Sequence, residues 1–290
     1  MRTLPAIILG CILTVGSPDS AAKAQSLLDG IEVAPLVITP VSATFKDTRI
    51  INVQSNETPG KNVLHFVIAH RFGQINEGAY ALWGLDNASM RMAFDYGITD
   101  RLAVGVARST FQKTYEANMK WRALRQNSDN SMPVSVTLYS VAMANGLKWS
   151  DASRENFFTS RLSYVNQAIL TKKWGSSLSL ALIPSFIHRN LVEGLTDAHD
   201  QWTLGAGGRY KVTSRASINA EYHYAIAGLP TDHVNSLSIG MDIETGGHVF
   251  QLHVTNSQGM FERAFLTETG GRWRDGALYF GFNLSRVFDL

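Results

Sequence analysis

The chain has 290 residues, of which 45% are hydrophobic and only 17% are charged. This charged fraction lies below the value of about 25% that is typical of soluble domains, and a formal net charge of +2 is too small to indicate nucleic acid as a partner. After the N-terminus, no stretch of 18 consecutive apolar residues occurs, so a helical membrane span is not predicted.

The N-terminus is predicted to be a signal peptide covering residues 1–24. Arg2 supplies the positive charge, residues 4–15 form a short apolar core, and residues 22–24 form a small-x-small cleavage site. The alternatives are a buried N-terminal helix and a lipoprotein signal at Cys11, the single cysteine of the chain. Cleavage after residue 24 would leave an exported protein without disulfides.

From residue 63 onward, segments of alternating polarity follow one another almost without pause. In residues 114–123, Tyr115 and Met119 belong to an apolar set, and Glu116 and Lys120 belong to the intervening polar set. A period of two predicts strands with one apolar and one polar face. Twelve strands are predicted, at residues 63–72, 90–98, 101–107, 114–123, 134–144, 161–174, 177–187, 202–212, 216–226, 234–243, 248–255 and 276–288.

The connections between these strands are nearly alternately short and long. The tight turns are at residues 98–101, 174–177, 212–215 and 245–248, and one link, at residues 124–133, is long where a short turn is expected. An even strand number with short periplasmic turns and longer external loops is typical of bacterial outer-membrane barrels. The sequence therefore predicts an all-β fold: an antiparallel up-and-down transmembrane β-barrel of about twelve strands over residues 61–290. The alternative is a soluble β-sandwich in the periplasm or at the cell surface.

Several motifs resemble a known family. "TRIINVQS", "VIAHRFG", "GLDNASMRMAFDYGITDRLAVGVARS", "KTY" and "MPVSVTLY" are similar to the outer-membrane β-barrel family called domain of unknown function 5777. The resemblance covers nearly the whole chain after the predicted cleavage site, most closely residues 43–140, and Val53 stands where the family pattern has glycine. It implies an outer-membrane barrel and supplies no activity.

The segment before the first strand, residues 43–60, is polar but contains Ile50, Ile51 and Val53. A thirteenth strand would disturb the even count that closes a barrel. We therefore expect residues 25–60 to form a periplasmic or lumenal N-terminal segment, with residues 43–60 in the periplasm or folded into the lumen as a partial plug. The alternative is that this segment is the first barrel strand.

The polar faces of the strands are expected to line the lumen, which makes its wall mixed in charge. The predicted lumen-lining residues are Glu116, Asn118, Lys120, Arg122, Arg209, Asn219, Glu221, His223 and Asp242.

Candidate metal ligands give no strong pattern. His65 and His70 are five positions apart on one strand and so point to opposite faces. Glu221 and His223 share a face about 7 Å apart, and Asp242 on the next strand could approach them. These polar groups are expected to pair with one another or with water, and a metal or acid–base site is the alternative. No metal ligand or cofactor is predicted.

Catalytic residues are not predicted either. Ser185 and His188 are close in sequence, but neither a nucleophile elbow nor an orienting acid is apparent.

Two main classes of function and one further option remain. The first is a narrow passive channel or a structural barrel, since twelve strands lie between filled eight-stranded barrels and open sixteen-stranded pores. The second is an outer-membrane lipid hydrolase or protease on a similar barrel, and a surface scaffold that binds partners through its external loops is a third option. The expected partners are outer-membrane lipid, the barrel-assembly machinery and, for a channel, small polar solutes.

The alternation also predicts the effect of substitutions in the last strand. Phe280 is expected to face lipid near the middle of the membrane, so Phe280→Arg should cost about 2–4 kcal/mol. Gly281 is expected on the opposite face, where Gly281→Ser should be mild.

Overall fold

The structure is a computed structural model that describes residues 38–192, 194, 197–227, 229 and 232–290. The predicted signal peptide lies outside the described residues. Within the described part of the chain, no helix combines the length and the apolar character needed to cross a membrane.

Twelve antiparallel strands close into a barrel in which each strand pairs with its neighbours in sequence and β1 pairs with β12. The fold predicted from the alternating segments is confirmed. Because the sheet is closed, no strand edge remains with unpaired backbone groups. The strands are β1 (Val63–Gln74), β2 (Ala88–Gly97), β3 (Leu102–Ser109), β4 (Tyr115–Leu124), β5 (Ser135–Ala144), β6 (Leu162–Trp174), β7 (Leu178–Arg189), β8 (Asp200–Lys211), β9 (Ala216–Ala227), β10 (Ser236–Thr245), β11 (His248–Thr255) and β12 (Tyr279–Asp289).

The two ends of the barrel differ. At one end, which we call the turn end, β1 begins and β12 finishes, with Val63 paired to Asp289, and the four predicted tight turns all lie here. At the other end, which we call the loop end, most connections are longer, although residues 110–114 join β3 to β4 by a short one.

The long connection between β4 and β5, residues 125–134, breaks the rule of short turns for a structural reason. The chain approaching the barrel interior pairs with it: Pro40 forms a β-bridge with Asn127, and the Val41 N–H donates to the Gln126 carbonyl at 2.7 Å. This connection therefore holds the start of the segment that enters the lumen.

The strands separate an inner from an outer face, as the period of two predicts. On β4, Met119 is 50% exposed whereas Lys120 is 4% exposed. On β12, Gly281 is on the buried face and Phe280 is on the outer face. However, Leu284 and not Phe280 lies at the centre of β12, because the strand begins at Tyr279.

Two segments fill the interior. The inner segment, residues 43–60, is not part of the sheet and is almost entirely buried between Thr44 and Asn56. The inward loop, residues 256–269, enters from the loop end and contains α1 (Glu262–Thr267), whose Phe265 is fully buried.

One part of the wall differs from the expected polar lining. Apolar residues on the inner faces of β5, β6 and β7, interspersed with buried polar ones, form a hydrophobic core with Phe45, Ile50 and Val53 of the inner segment and Phe261 and Phe265 of the inward loop. The barrel thus encloses a hydrophobic core on one side and a polar wall on the other.

Candidate functional site in the barrel lumen

The inner segment is anchored to the polar wall by Glu221 of β9. The segment folds into a tight turn in which the Ile50 N–H donates to the Val53 carbonyl at 2.8 Å. Three successive backbone N–H groups, those of Ile51, Asn52 and Val53, then donate to the Glu221 carboxylate at 3.0–3.2 Å. Glu221 is 2% exposed. Backbone N–H dipoles that point at a carboxylate offset part of the cost of burying it.

The carbonyl groups of the same turn are satisfied by side chains of the wall. Gln251 of β11 donates to the Ile50 carbonyl at 2.9 Å, and Asn283 of β12 donates to the Ile51 carbonyl at the same distance. Asn219 of β9 adds a longer bond to Ile50. The wall therefore supplies both the acceptor and the donors that a buried turn needs.

Basic side chains bind the parts of the inner segment nearer the turn end. Lys120 donates to the Thr48 carbonyl at 2.8 Å and to Gln54 at 3.0 Å. Arg209 donates to the carbonyls of Ala43 and Thr44 at 3.1 and 3.2 Å. These charges face carbonyl oxygens rather than an open bore.

Asp47 of the inner segment pairs with His65 of β1, whose Nε2 lies 2.8 Å from the Asp47 carboxylate. Burial raises the pKa of Asp47, but the neighbouring His65 and hydrogen bonds from His65, Ser285 and the Thr48 N–H outweigh that effect. The net result is a pKa of Asp47 below its ordinary value. The carboxylate is thus held in its charged form where the segment meets the first strand.

All nine residues predicted from the sequence to line the lumen lie on the inner face of the barrel. Five of them contact the inner segment: Lys120, Arg122, Arg209, Asn219 and Glu221. The other four have different partners: Glu116 binds Arg91 through two bonds of 2.8 Å, Asn118 donates to Asp95, Asp242 accepts from Gln251, and His223 packs against the Phe265 ring.

The three residues considered as a metal or acid–base site are not brought together as one. Glu221 is taken up by the backbone of the inner segment, while Asp242 interacts with Ser217 and Gln251. Among the residues that the structure describes, no group of three or more histidine, cysteine, aspartate or glutamate side chains could hold a metal ion.

The histidine pair considered for a metal and the serine–histidine pair considered for catalysis are also separated. His65 points inward and His70 points outward, where it stacks on Phe282 at 5.1 Å. Ser185 is buried on the inner face and accepts from Gln167, whereas His188 bonds to Asp200 at 2.6 Å at the partly exposed outer surface. In the described part of the chain, no serine hydroxyl is hydrogen-bonded to a histidine ring.

Sequence reasoning missed several inner residues that hold the segment. Arg71, Gln251 and Asn283 each donate to the turn at residues 50–52. The sequence held a signal for two of them, because Gln251 and Asn283 each stand between two apolar residues of a predicted strand. The apolar inner face of β7 also had a signal, since "LALIPSFI" is apolar almost continuously, as expected for a strand that is covered on both faces.

The chain matches a known family of membrane β-barrels. A family model described as a membrane-bound β-barrel domain, domain of unknown function 5777, matches residues 45–288. The chain belongs to this family. The resemblance noted in the sequence is confirmed, and the match includes most of the inner segment as well as all but the last residue of the barrel. Among proteins of curated function, none matches the chain significantly.

Solved structures of several outer-membrane barrels are similar to this member of the family. The NanC porin is 8% identical and covers 78% of this chain and 99% of its own, with a TM-score of 0.49. An outer-membrane channel from Pseudomonas putida F1 is 14% identical, covering 80% and 97% at a TM-score of 0.49. Outer membrane phospholipase A from Escherichia coli is 10% identical, covering 77% and 92% at a TM-score of 0.39. At these identities and scores, the likeness says nothing about what this chain carries or catalyses.

Proposed function

We propose that this protein is a passive channel of the bacterial outer membrane for small polar solutes, held closed by its inner segment. The observation that carries the proposal is the set of hydrogen bonds between the polar wall and the inner segment. Glu221, Lys120 and Arg209 are bonded to the backbone of the inner segment and not to one another. If the segment moved away, these wall side chains would lose their hydrogen-bond partners, and water or a polar solute could take the place of the segment.

The solute path belongs to the polar side of the barrel. The apolar cluster on β5–β7 holds Ile50 and Val53 by packing, and the residues of this cluster offer a solute almost no hydrogen-bonding groups. The hydrogen-bonded side, made by β9, β11, β12 and β1, carries the side chains that accept and donate. Mixed charges on this side favour weak ion selectivity over tight binding of one ion.

Planar-bilayer recordings test the proposal. We expect small or rare conductance steps for the full chain and larger, more frequent ones for Glu221→Gln, which keeps the shape of the side chain but removes the charge that three N–H groups share. Glu116→Gln is the matched control, because Glu116 is an equally buried carboxylate that binds Arg91 of the wall and not the inner segment. It should behave like the unmodified protein.

A barrel with a purely structural role gives the opposite outcome. In that case neither Glu221→Gln nor removal of residues 25–60 produces conductance, although both proteins insert into the bilayer. The hydrolase alternative has no supporting geometry among the described residues, since the His188–Asp200 pair lacks a serine partner.

A further inference from the structure

Asn52, in the turn at the tip of the inner segment, bridges two charged side chains of the wall. Its backbone N–H donates to the Glu221 carboxylate at 3.0 Å, and its side-chain oxygen accepts from Arg71 Nη2 at 2.5 Å. Glu221 on β9 is 2% exposed and Arg71 on β1 is 1% exposed. Buried charges are normally paired, yet in the described part of the chain these two charges are joined through Asn52 and not by an ion pair of their own.

The gap between the carboxylate and the guanidinium has the length of a small amino acid. Within Asn52, the Cα, Cβ and Cγ atoms separate the nitrogen that bonds to Glu221 from the oxygen that bonds to Arg71. In β-alanine, the same run of carbon atoms separates the ammonium nitrogen from the carboxylate oxygens. A zwitterion of this length can therefore reach both charges of the wall at once.

The Glu221 end of the gap suits an ammonium group. Three successive backbone N–H groups of the tip donate to this carboxylate at 3.0–3.2 Å. An ammonium group also carries three N–H donors, and its charge adds the attraction between opposite charges, which is strong at a buried position. It can therefore replace the tip as the partner of Glu221.

The Arg71 end of the gap has hydrogen-bonding capacity that the inner segment does not use. Arg71 Nε and Nη1 and both ring nitrogen atoms of His253 are buried without a hydrogen-bond partner among the described residues. Arg71 Nη1 and His253 Nε2 both lie over Gly281, where a Cβ atom would be 2.4 Å from the first and 2.6 Å from the second. The amide oxygen of Asn52 binds a single nitrogen of Arg71, whereas a carboxylate has two oxygen atoms and can bind a guanidinium through both.

We propose that this gap binds small zwitterionic amino acids when the tip of the inner segment moves away, with the ammonium group on Glu221 and the carboxylate on Arg71 and His253. The inference rests on the proposed channel function and names its solute class. In the closed barrel Asn52 takes the place of the solute. The solute and the inner segment therefore compete for the same charges, and binding of the solute favours the open state.

Calorimetric titration of the folded full chain in detergent tests the site without recourse to conductance. The probe is β-alanine. Propionate, which lacks the ammonium group, and propylamine, which lacks the carboxylate, are controls with the same carbon chain. We expect β-alanine to bind more tightly than either control. Equal affinities for the three compounds would mean that water satisfies the buried groups and would overturn the proposal.

Removal of the competing side chain should strengthen binding. Asn52→Ala is expected to tighten β-alanine binding several-fold, because Arg71 then has no partner in the inner segment. Asn56→Ala is the control, since Asn56 is a buried residue of the same segment whose side-chain oxygen has no hydrogen-bond partner among the described residues. It should leave the affinity unchanged. Absence of β-alanine binding to both the unmodified protein and Asn52→Ala would refute the site.

Charge removal is tested in the Asn52→Ala background. There, Glu221→Gln should weaken β-alanine binding about tenfold, as expected for the loss of one charge-assisted hydrogen bond, and should leave propionate binding unchanged. Glu116→Gln is the control, because Glu116 is a buried carboxylate that binds Arg91. Equal losses in the two variants would contradict the assignment of the ammonium group to Glu221.

Arg71→Gln in the same background should weaken the binding of both β-alanine and propionate. If this variant does not fold, Glu221→Gln and the comparison of the three compounds decide the case. Binding of β-alanine without conductance in bilayers would retain the site and refute the channel. Conductance of the full chain or of Glu221→Gln without β-alanine binding to Asn52→Ala would do the reverse.

Discussion

Arg71 of β1 donates through Nη2 to the Asn52 side-chain oxygen of the inner segment at 2.5 Å, in a place where Arg71 is 1% exposed. The Nδ2 atom of the same Asn52 side chain donates to the Ser238 hydroxyl of β10. One side chain of the segment thus bridges two parts of the wall. Arg71 Nε and Nη1 have no hydrogen-bond partner among the described residues. The hydrogen bond to Asn52 is therefore the one that this buried guanidinium makes to a described side chain.

We therefore expect Asn52→Ala to loosen the inner segment. Loss of a hydrogen bond to a buried charged group should cost about 1.5–3 kcal/mol, and the measurement is urea unfolding in lipid together with protease cleavage within residues 43–60. Asn52→Ala combined with Arg71→Met should recover much of the loss, since the unpaired buried charge is removed as well. An additive loss in the double variant would contradict this account.

The lipid-facing side of β12 gives a prediction that depends on depth. Leu284 is the central residue of the strand and faces outward, so Leu284→Arg should cost about 2–4 kcal/mol, while Phe280→Arg near the loop end should cost about 0–1 kcal/mol. Heat-modifiable migration on gels and unfolding in lipid measure the cost of each substitution. Phe280→Leu serves as the apolar control. This corrects the expectation that Phe280 lies at mid-membrane; equal costs at the two positions would restore it.

Gly281 on the inner face should be intolerant of substitution, contrary to the expectation that Gly281→Ser is mild. A Cβ atom there would lie 2.4 Å from Arg71 Nη1, 2.6 Å from His253 Nε2 and 2.6 Å from the His70 carbonyl oxygen. The Arg71 side chain can shift, but the carbonyl belongs to the paired strand and cannot move without disturbing the β1–β12 seam.

Gly281→Ala is the smallest test of this prediction, and we expect a lower unfolding midpoint and slower assembly. Gly208→Ala on β8 is a suitable control, because a Cβ atom there would first meet the flexible end of Leu180 at 3.3 Å. Equal behaviour of the two variants would argue against the close approach at the seam.

The Asp47–His65 contact predicts a pH dependence of the inner segment. Because the pKa of Asp47 in the folded protein lies below its ordinary value, the contact contributes stability that is fully present above the pKa of the unfolded chain, about 3.9. That contribution is lost as the pH falls through the lower, folded pKa. Pepsin cleavage of the segment should therefore increase below about pH 4.

Asp47→Asn should weaken this acid dependence, because the titrating group is gone. Asp86→Asn, at an exposed position of the loop end, should leave it unchanged. An identical acid profile in Asp47→Asn and the unmodified protein would assign the effect to other groups.

The sequence alone was enough to predict the strands, their number, their antiparallel order and the face to which residues such as Glu221 and Met119 point. These features follow from a period of two and from the lengths of the connections, both of which are local properties of the chain. The exact extent of a strand is less local, and a start of β12 at Tyr279 instead of residue 276 was sufficient to shift its centre to Leu284.

Only the tertiary structure decided what fills the barrel. The turn at Ile50–Val53 meets Glu221 across a sequence separation of 169 residues at Asn52, and no pattern of polarity relates two positions so far apart. The periodicity states that Glu221 faces inward, but the partner of an inward carboxylate can be water, another wall residue or a segment of the chain. Which of these it is depends on how the buried N–H and C=O groups of residues 43–60 are satisfied, and that is a property of the folded barrel as a whole.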